Sequence, residues 1–152
     1  MHKGSGSEHA TAVLVGPRAV LIRGPSAAGK SRLAWQLIES ALAGKIHFAR
    51  LVADDRTALS AINGKLIVSV PKSIAGRIEL RGAGIREVAF EPFAVVGLVV
   101  DLAASDGERV PAPAALRTGI LGVRLPRIAV PPDHEPLPLV LAALGYGSKA
   151  EG

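Results

Sequence analysis

Eight consecutive residues of this 152-residue chain have the composition and spacing of a loop that binds phosphate groups. The sequence GPSAAGKS at residues 24–31 matches the pattern G-x-x-x-x-G-K-S/T. In such a loop the glycines let backbone N–H groups turn toward phosphate oxygens, Lys30 adds positive charge at the β- and γ-phosphates, and the hydroxyl of Ser31 is a ligand for Mg²⁺. We therefore expect a nucleoside triphosphate such as ATP, with Mg²⁺, to bind to Gly24, Pro25, Ser26, Ala27, Ala28, Gly29, Lys30 and Ser31.

Transfer of a phosphoryl group to an alcohol also needs a carboxylate that accepts the proton of the alcohol. Two sites in the sequence offer one: the pair Asp54 and Asp55 after the apolar run 48–53, and Asp101 after the apolar run 94–100. Adjacent like charges cost free energy unless cations or hydrogen bonds compensate them, so such a pair is more often functional. Asp101 follows its strand as a Walker B aspartate does, and on spacing alone it stays an alternative.

The loop lies between a predicted strand and a predicted helix, which is the order that the motif requires. Residues 11–16 and 19–24 are apolar runs around a Gly-Pro-Arg turn, and they predict a β-hairpin. Beyond Ser31, apolar residues recur at spacings of three and four as far as Leu42. This periodicity predicts an amphipathic helix that is closed by Gly44.

Further apolar runs predict a core made mostly of strands. The dipeptide Asn63-Gly64 between two of these runs is the strongest short-range signal for a hairpin. The predicted strands are residues 48–53, 58–62, 65–70, 77–80 and 93–102. The fold class is therefore α/β, a single P-loop NTPase-like domain with a β-rich core.

The last third of the chain predicts less regular structure. Residues 103–113 have the composition of a loop, and the five prolines within residues 124–138 argue against a regular helix or a central strand there. A final helix is predicted over residues 139–144, ending at Gly145. The expected organisation is a flexible lead-in, one catalytic domain and a tail, at residues 1–8, 9–147 and 148–152 respectively.

Composition excludes several classes of protein. Hydrophobic residues make up 49% of the chain, which rules out intrinsic disorder. Aromatic residues make up only 3%, too few for a nucleic-acid binder that stacks bases, and the net charge of +5 comes from scattered residues. There is no cysteine, so thiol chemistry is excluded. The longest apolar run is far short of the ~20 residues that cross a bilayer, so we expect no membrane partner and a cytoplasmic location.

Four segments together resemble the C-terminal catalytic domain of HPr kinase/phosphorylase over roughly residues 9–131. They are His9, the loop GPSAAGKS, LVADD at residues 51–55 and RIELRGAGI at residues 77–85. The most specific part is the signature formed by Ile78, Glu79, Arg81, Gly82, Gly84 and Ile85. The resemblance implies an HPr kinase/phosphoenolpyruvate carboxykinase-like fold. It also implies a bacterial carbon-regulation enzyme that phosphorylates a serine of HPr, a phosphocarrier of the phosphotransferase system, and that can remove this phosphate.

The resemblance also implies roles for individual residues. The general base of the family falls on Asp55, its active-site histidine on His9, and its magnesium ligands on Ser31 and Glu79, while Lys30 belongs to the catalytic set through the loop. The later catalytic arginine of the family falls on Arg109, with Arg117 as a near alternative.

Two departures from the family pattern shape the expected activity. The separate N-terminal domain is missing from the sequence before His9, so we expect a truncated form of the enzyme. The basic, glycine-containing segment that the family uses for dephosphorylation is replaced by PDHEP at residues 132–136. We therefore expect a kinase with weak reverse phosphorylase activity, and we leave open whether the chain forms a homo-oligomer and whether the hexamer of the family is kept.

Two other functions stay open at this point. P-loop folds serve many phosphate acceptors, so the chain could be a small-molecule kinase or a phosphoenolpyruvate carboxykinase-like enzyme. It could also be a non-catalytic ATP-sensing module that is coupled to a two-component regulator. The carboxylates of Asp55 and Glu79 argue for catalysis.

Overall fold

A computed structural model of the chain describes residues 4–108 and 111–146, in which eleven strands and two helices form one α/β domain. The strands are β1 Ser5–Glu8, β2 Ala10–Val15, β3 Arg18–Arg23, β4 Ala49–Ala53, β5 Thr57–Ile62, β6 Lys65–Ser69, β7 Arg77–Leu80, β8 Gly84–Glu87, β9 Phe93–Asp101, β10 Arg117–Ile120 and β11 Val123–Ala129. The helices are α1 Lys30–Leu42 and α2 Pro136–Ala143, and short 3₁₀ turns cover Lys72–Ile74 and Pro113–Leu116. The predicted fold class is confirmed.

β9 is the central strand, because it pairs with three others. Its residues 93–95 pair antiparallel with β6, residues 96–101 pair parallel with β3, and residues 99–101 pair parallel with β11. The order across the sheet is β1-β5-β6-β9-β3-β2-β4, with β10 attached through β11. The carboxyl ends of β3, β9 and β11 thus meet at one edge, where open α/β sheets bind their ligands.

Side chains of the central strands point alternately to the two faces of the sheet, and each face carries its own apolar layer. Leu21 and Val99 face one layer, which also holds side chains of β5 and β6, while their neighbours Ile22 and Val100 face the layer that contains α1. Leu33 of α1 is fully buried there. The sheet is therefore covered on both faces, and the loop that joins β3 to α1 is held between rigid elements.

Most of the predicted elements are confirmed. β2 and β3 form the predicted hairpin, as do β5 and β6 around Asn63-Gly64. Both turn residues have positive φ (51° and 76°), as a two-residue hairpin of this kind requires. The predicted amphipathic helix is α1, and the chain turns away at Gly44 with a φ of 78°. Within the described residues, no helix is long and apolar enough to cross a membrane.

The predicted flexible lead-in is wrong for residues 5–8. These residues form β1, which pairs antiparallel with β5 in the register Ser5↔Ser60 to Glu8↔Thr57. Ladder hydrogen bonds join backbone groups, so a segment of serine and glycine can pair without an apolar face. The predicted tail at residues 148–152 lies outside the described residues.

The interpretation of the proline-rich region is also wrong in part. β11 contains Pro126, which lies before the residues that pair with β9, so the missing N–H falls outside that parallel ladder. α2 begins at Pro136, three residues earlier than predicted. Pro136 and Pro138 occupy its first turn, where backbone N–H groups have no partner within the helix.

Candidate active site

The loop at residues 24–31 curls around the ammonium group of its own lysine. Nζ of Lys30 donates hydrogen bonds to the carbonyl oxygens of Gly24 (2.9 Å) and Pro25 (3.2 Å). At Gly24, where φ is +157°, an added Cβ would lie 3.1 Å from Cβ of Leu102, which leaves little room for a larger residue. Gly29, at a φ of +101°, starts α1. The loop therefore combines a fixed positive charge with the amino end of a helix, two features that attract phosphate.

A hydrogen-bonded cluster joins the first turn of α1 to the acidic pair. Asp54 is its centre: Oδ1 accepts hydrogen bonds from the hydroxyl groups of Ser31 (2.5 Å) and Thr11 (3.1 Å). Oδ2 of Asp54 accepts from the backbone N–H of Glu79 (2.9 Å). The backbone N–H of Asp55 donates to Oγ1 of Thr11 (3.0 Å). Four separate segments, α1, β2, β7 and the turn after β4, thus meet beside the phosphate loop.

The two carboxylates of the pair differ in what they contact. Both oxygens of Asp54 accept hydrogen bonds, and its side chain is half-buried. Asp55 is exposed, and its backbone has a φ of 69°, a left-handed conformation that aspartate tolerates better than most residues. Across residues 4–108 and 111–146, no hydrogen bond or ion pair engages the carboxylate of Asp55. Asp54 is therefore held in place, while the carboxylate of Asp55 has no hydrogen-bond partner among the described residues.

The signature segment forms the hairpin of β7 and β8, and only β7 was predicted from the sequence. Ile78 is fully buried, and its neighbour Glu79 is exposed on the other face of the strand. Gly82 and Gly84 have φ of 85° and 83°, so the glycines of the signature make the turn. The two remaining signature residues, Arg81 and Ile85, are exposed. The hairpin brings the backbone of Glu79 to Asp54.

His9 lies between two strands whose ends flank the cluster. Its neighbour Glu8 pairs with Thr57, just after the acidic turn, and its neighbour Ala10 pairs with Arg23, just before the loop. The side chain of His9 is exposed. The backbone therefore brings His9 to the same end of the sheet as the loop and the acidic pair.

Asp101, the alternative carboxylate, is bound by arginines. Arg23 donates to both of its oxygens (2.7 and 2.9 Å), and Nε of Arg127 donates to Oδ2 (2.5 Å). Arg127 also donates to the carboxylate of Asp106 (2.8 and 3.0 Å) and to the carbonyl oxygen of Ala115 (3.0 Å). The contacts link the carboxyl ends of β3 and β9 with β11 and the segment after β9.

This ion-pair network fixes the charge of Asp101. Burial disfavours the ionised carboxylate, but the hydrogen bonds from Arg23 and Arg127 outweigh it and hold the pKa of Asp101 below its ordinary value of 3.8. The hydrogen bonds with Asp106 and Asp101 likewise raise the pKa of Arg127, against the effect of burial. Asp101 is thus ionised and paired with two arginines. The hydroxyl of Ser31 donates its hydrogen bond to Asp54 and not to Asp101.

Of the two candidates for the catalytic arginine, the structure describes only Arg117. Arg109 lies outside the described residues. Arg117, its alternative, is exposed at the start of β10, where it lines a shallow groove with Arg124.

Sequence reasoning missed three contacts in this region. Thr11 is the one hydroxyl residue in the otherwise apolar β2, a signal that could have been noticed. That Asp54, rather than Asp55, contacts Ser31 depends on the geometry of the turn. The pairing of Arg127 with Asp101 joins positions 26 residues apart, and no local pattern indicates it.

A strand that enters a glycine-rich phosphate loop, a helix that leaves it and a carboxylate beside that helix define an α/β domain of the P-loop type. Comparison with known families gives the particular one. The chain belongs to the family of the HPr Serine kinase C-terminal domain, which it matches over residues 4–133. The resemblance seen in the sequence is confirmed.

Curated relatives with similar sequences carry the names of enzymes. The chain is 44% identical over 69 residues to HPr kinase/phosphorylase of Clostridium tetani (strain Massachusetts / E88), which covers 45% of this chain and 20% of the relative. It is 43% identical over 68 residues to HPr kinase/phosphorylase of Treponema pallidum (strain Nichols), which covers 43% of this chain and 19% of the relative. The matches thus span about a fifth of these relatives.

A solved structure has the same fold over most of its length. The Hpr(Ser) kinase/phosphatase from Coxiella burnetii superposes with a TM-score of 0.72 at 29% sequence identity, and the match covers 91% of this chain and 87% of that chain.

Proposed function

We propose that this domain is an ATP-dependent protein serine kinase that phosphorylates an HPr-like phosphocarrier protein of the phosphotransferase system. One observation carries the proposal: the acidic pair after β4 is hydrogen-bonded, through Asp54, to the serine that closes the phosphate loop. A domain that only bound nucleotide would need the phosphate loop. It would not need an acidic pair beside that loop. The family of the chain supports HPr as the acceptor, and a cytoplasmic location follows from such an acceptor.

The loop supplies binding and charge. Phosphate oxygens of the nucleotide accept hydrogen bonds from the backbone N–H groups of the loop and of the first turn of α1. Lys30 leaves the carbonyl oxygens of Gly24 and Pro25 and contacts the β- and γ-phosphates. Its positive charge stabilises the negative charge on the phosphoryl group during transfer.

Asp55 accepts the proton of the acceptor serine. A serine hydroxyl is a poor nucleophile until a base takes its proton as the new P–O bond forms. The exposed carboxylate of Asp55 suits this role, because Asp54 already uses both of its oxygens in the cluster. Asp54 is then a positioning residue that holds Ser31 and, through Thr11, the backbone of Asp55.

The donors beside the loop fit a magnesium ion. Mg²⁺ in nucleotide sites binds to one or two carboxylates, water and phosphate oxygens. The described residues contain no cluster of three or more acidic or histidine side chains, and the hydroxyl of Ser31 with the carboxylate of Glu79, whose backbone N–H contacts Asp54, would meet the smaller requirement. When bound, the ion neutralises charge on the phosphates and orients them.

The reverse reaction is weak in this proposal. Phosphorolysis of phosphoserine needs inorganic phosphate, a second anion, in the site. The segment at residues 132–136 adds Asp133 and Glu135 beside the loop, and these acidic side chains repel phosphate. His9 then supplies what phosphate recognition remains for the reverse reaction.

The test is phosphotransfer from labelled ATP with Mg²⁺ to the HPr-like protein of the same organism, followed by mapping of the labelled residue. We expect label on a serine, and none when Lys30→Ala is used. Label on a small molecule would favour a small-molecule kinase, and bound ATP without any transfer would favour a sensor for a two-component regulator; either result contradicts the proposal. In the same assay, phosphate-dependent release of pyrophosphate from the phosphorylated carrier is expected to be far slower than the forward reaction.

A further inference from the structure

The outer face of the hairpin formed by β10 and β11 carries two arginines that line a groove of about 520 Å³. Side chains of the inner face, Ile120, Val123 and Leu125, are buried in the apolar layer that also holds β5 and β6. Arg117 and Arg124 lie on the opposite face and are exposed. The hairpin is therefore anchored through one face and presents the other to solvent.

The pairing register sets the distance between the two arginines. Arg117 is opposite Pro126 and Arg124 is opposite Gly119, so the arginines are diagonal neighbours in the ladder. Such neighbours lie about 7–8 Å apart. Gly119 has no side chain, which leaves the surface between them open. In an extended chain, residues two positions apart are separated by about 6.8 Å and face the same side. The two arginines therefore match two carboxylates at alternate positions of an extended segment.

The groove is positively charged without a counter-charge. Within the part of the chain that the structure describes, neither Arg117 nor Arg124 forms an ion pair, and the groove has no acidic lining residue. Its other walls are Pro113, Ala114 and the hydroxyl residue Thr118. Arginine beside apolar surface is typical of contacts between proteins. A small ligand is largely enclosed by its site, so a shallow groove fits a segment of a protein better.

The groove lies on the same face of the sheet as the phosphate loop. Ile128, four residues beyond Arg124 on the same face of β11, packs in the layer that contains α1. The strands β4, β2, β3, β9, β11 and β10 are consecutive neighbours, so the turn of Asp55 and the hairpin are at most about 24 Å apart across the sheet. An interface of standard size covers about 800 Å² on each partner, a patch about 32 Å across. A protein whose serine lies at Asp55 therefore reaches the groove.

We propose that this groove binds an acidic segment of the acceptor protein. The segment is extended and carries carboxylates two residues apart, which pair with Arg117 and Arg124. This inference rests on the proposed kinase function and adds a contact with the acceptor away from the serine that receives the phosphate. Such a contact increases the affinity for the right protein and disfavours basic partners, and it takes no part in the chemistry.

Steady-state kinetics of carrier phosphorylation separate this contact from nucleotide binding and from the chemistry. Arg124→Glu places a like charge against the acidic segment, so KM for the carrier protein should rise by about tenfold. Its kcat and its KM for ATP should stay within about twofold of wild type. Arg124→Lys keeps the positive charge and should stay close to wild type in all three values. The effect of Arg124→Glu should shrink at about 0.5 M salt, because salt screens exposed charges.

Arg117→Glu should raise KM for the carrier in the same way. The matched control is Arg18→Glu, the same change at an exposed arginine that begins β3, at the end of the strand away from the phosphate loop. It should leave KM for the carrier unchanged.

Three results would overturn the inference: an unchanged KM for the carrier in both groove variants, an equal rise in Arg18→Glu, or a fall in kcat alone in Arg117→Glu, which would assign that residue to the chemistry. If the wild-type chain transferred no phosphate to the carrier, the proposed function would fail and the inference with it. Normal transfer by the wild type with unchanged groove variants would refute the groove alone, so the two failures are distinguishable.

Discussion

Two strands of the sheet end in a carboxylate near the phosphate loop, and the two carboxylates have opposite surroundings. Asp54, after β4, accepts hydrogen bonds from the neutral hydroxyl groups of Ser31 and Thr11 and from a backbone N–H. Asp101, at the end of β9, is bound by the guanidinium groups of Arg23 and Arg127. The first is therefore surrounded by neutral donors, whereas the second is paired with two positive charges.

In the proposed function, this difference separates the carboxylates that act in the chemistry from the one that acts in stability. In many P-loop enzymes an aspartate at the end of the strand beside the loop strand helps to hold the metal ion. Here that position is Asp101, and its arginines make it part of a structural network. The carboxylates available to a cation or to an acceptor hydroxyl come from the turn after β4, at the other side of the first turn of α1.

The largest effect is expected at Lys30, the cation of the phosphate loop. Lys30→Ala removes the positive charge that stabilises the transferred phosphoryl group, and phosphotransfer should fall by about 10³-fold. The chain should stay folded, as circular dichroism would verify. Wild-type turnover with ATP in this variant would mean that the loop is not the nucleotide site.

A smaller effect is expected from the centre of the cluster. Asp54→Asn keeps the size of the side chain and one acceptor oxygen but removes the charge. Ser31 is then held more weakly, and the backbone N–H of Glu79 loses its acceptor to an amide NH₂ group. Turnover should fall by roughly tenfold to a hundredfold, with a raised KM for ATP in steady-state assays. Asp106→Asn, in the other network, is the control and should leave both values close to wild type. A result in which only the control lost activity would reverse the comparison.

The network around Asp101 is expected to act on stability. Asp101→Asn leaves Arg23 without its counter-charge and Arg127 with Asp106 alone, and the free energy of unfolding should drop by about 2 kcal/mol in urea titrations at neutral pH. The pKa of Asp101 is lower in the folded chain than its ordinary value of 3.8. Its stabilising effect is therefore complete above about pH 4 and is lost as the pH falls through the lower folded pKa.

The difference in stability between the wild type and Asp101→Asn should thus shrink in strong acid. A difference that stayed constant from about pH 7 to about pH 2.5 would argue against an ionised Asp101 as its source.

The smallest effect is expected at Thr11, which hydrogen-bonds both residues of the acidic pair. Thr11→Val keeps the shape of this fully buried side chain and removes its hydroxyl group, so Asp54 loses one donor and the N–H of Asp55 loses its acceptor. We expect a loss of turnover of about fivefold with an unchanged KM. Thr11→Ser should recover most of the activity, which a purely packing role of the methyl group would not allow.

Local signals in the sequence predicted the local elements well. The hairpin at Asn63-Gly64 and the amphipathic helix α1 depend on neighbouring residues, and both are present. β1 escaped prediction because its order comes from β5, about fifty residues away in the chain. Pro126 seemed to exclude a strand, but only the residues after it pair with the central β9.

The candidate site was likewise predictable where it depends on neighbouring residues, and not where it depends on contacts between distant ones. The phosphate loop is a contiguous motif, so its residues and its helix could be assigned directly. The choice between Asp54 and Asp55 depends on a turn in which Asp55 has a left-handed backbone, and the sequence carries no signal for this. The occupation of Asp101 by Arg23 and Arg127 arises from strand pairing across the sheet.

We propose a division of roles in which the carboxylates after β4 act in phosphotransfer and the carboxylate after β9 does not. Its most direct test is the turnover of Asp55→Asn and Asp101→Asn side by side, at saturating ATP and carrier protein and below the unfolding temperature of both. We predict that Asp55→Asn loses roughly 10²-fold or more in turnover, the usual loss for a general base, with ATP affinity within a few-fold of wild type. Asp101→Asn should stay within a few-fold of wild type in turnover. A large loss in Asp101→Asn together with near-normal turnover in Asp55→Asn would contradict the account and assign the chemistry to the end of β9.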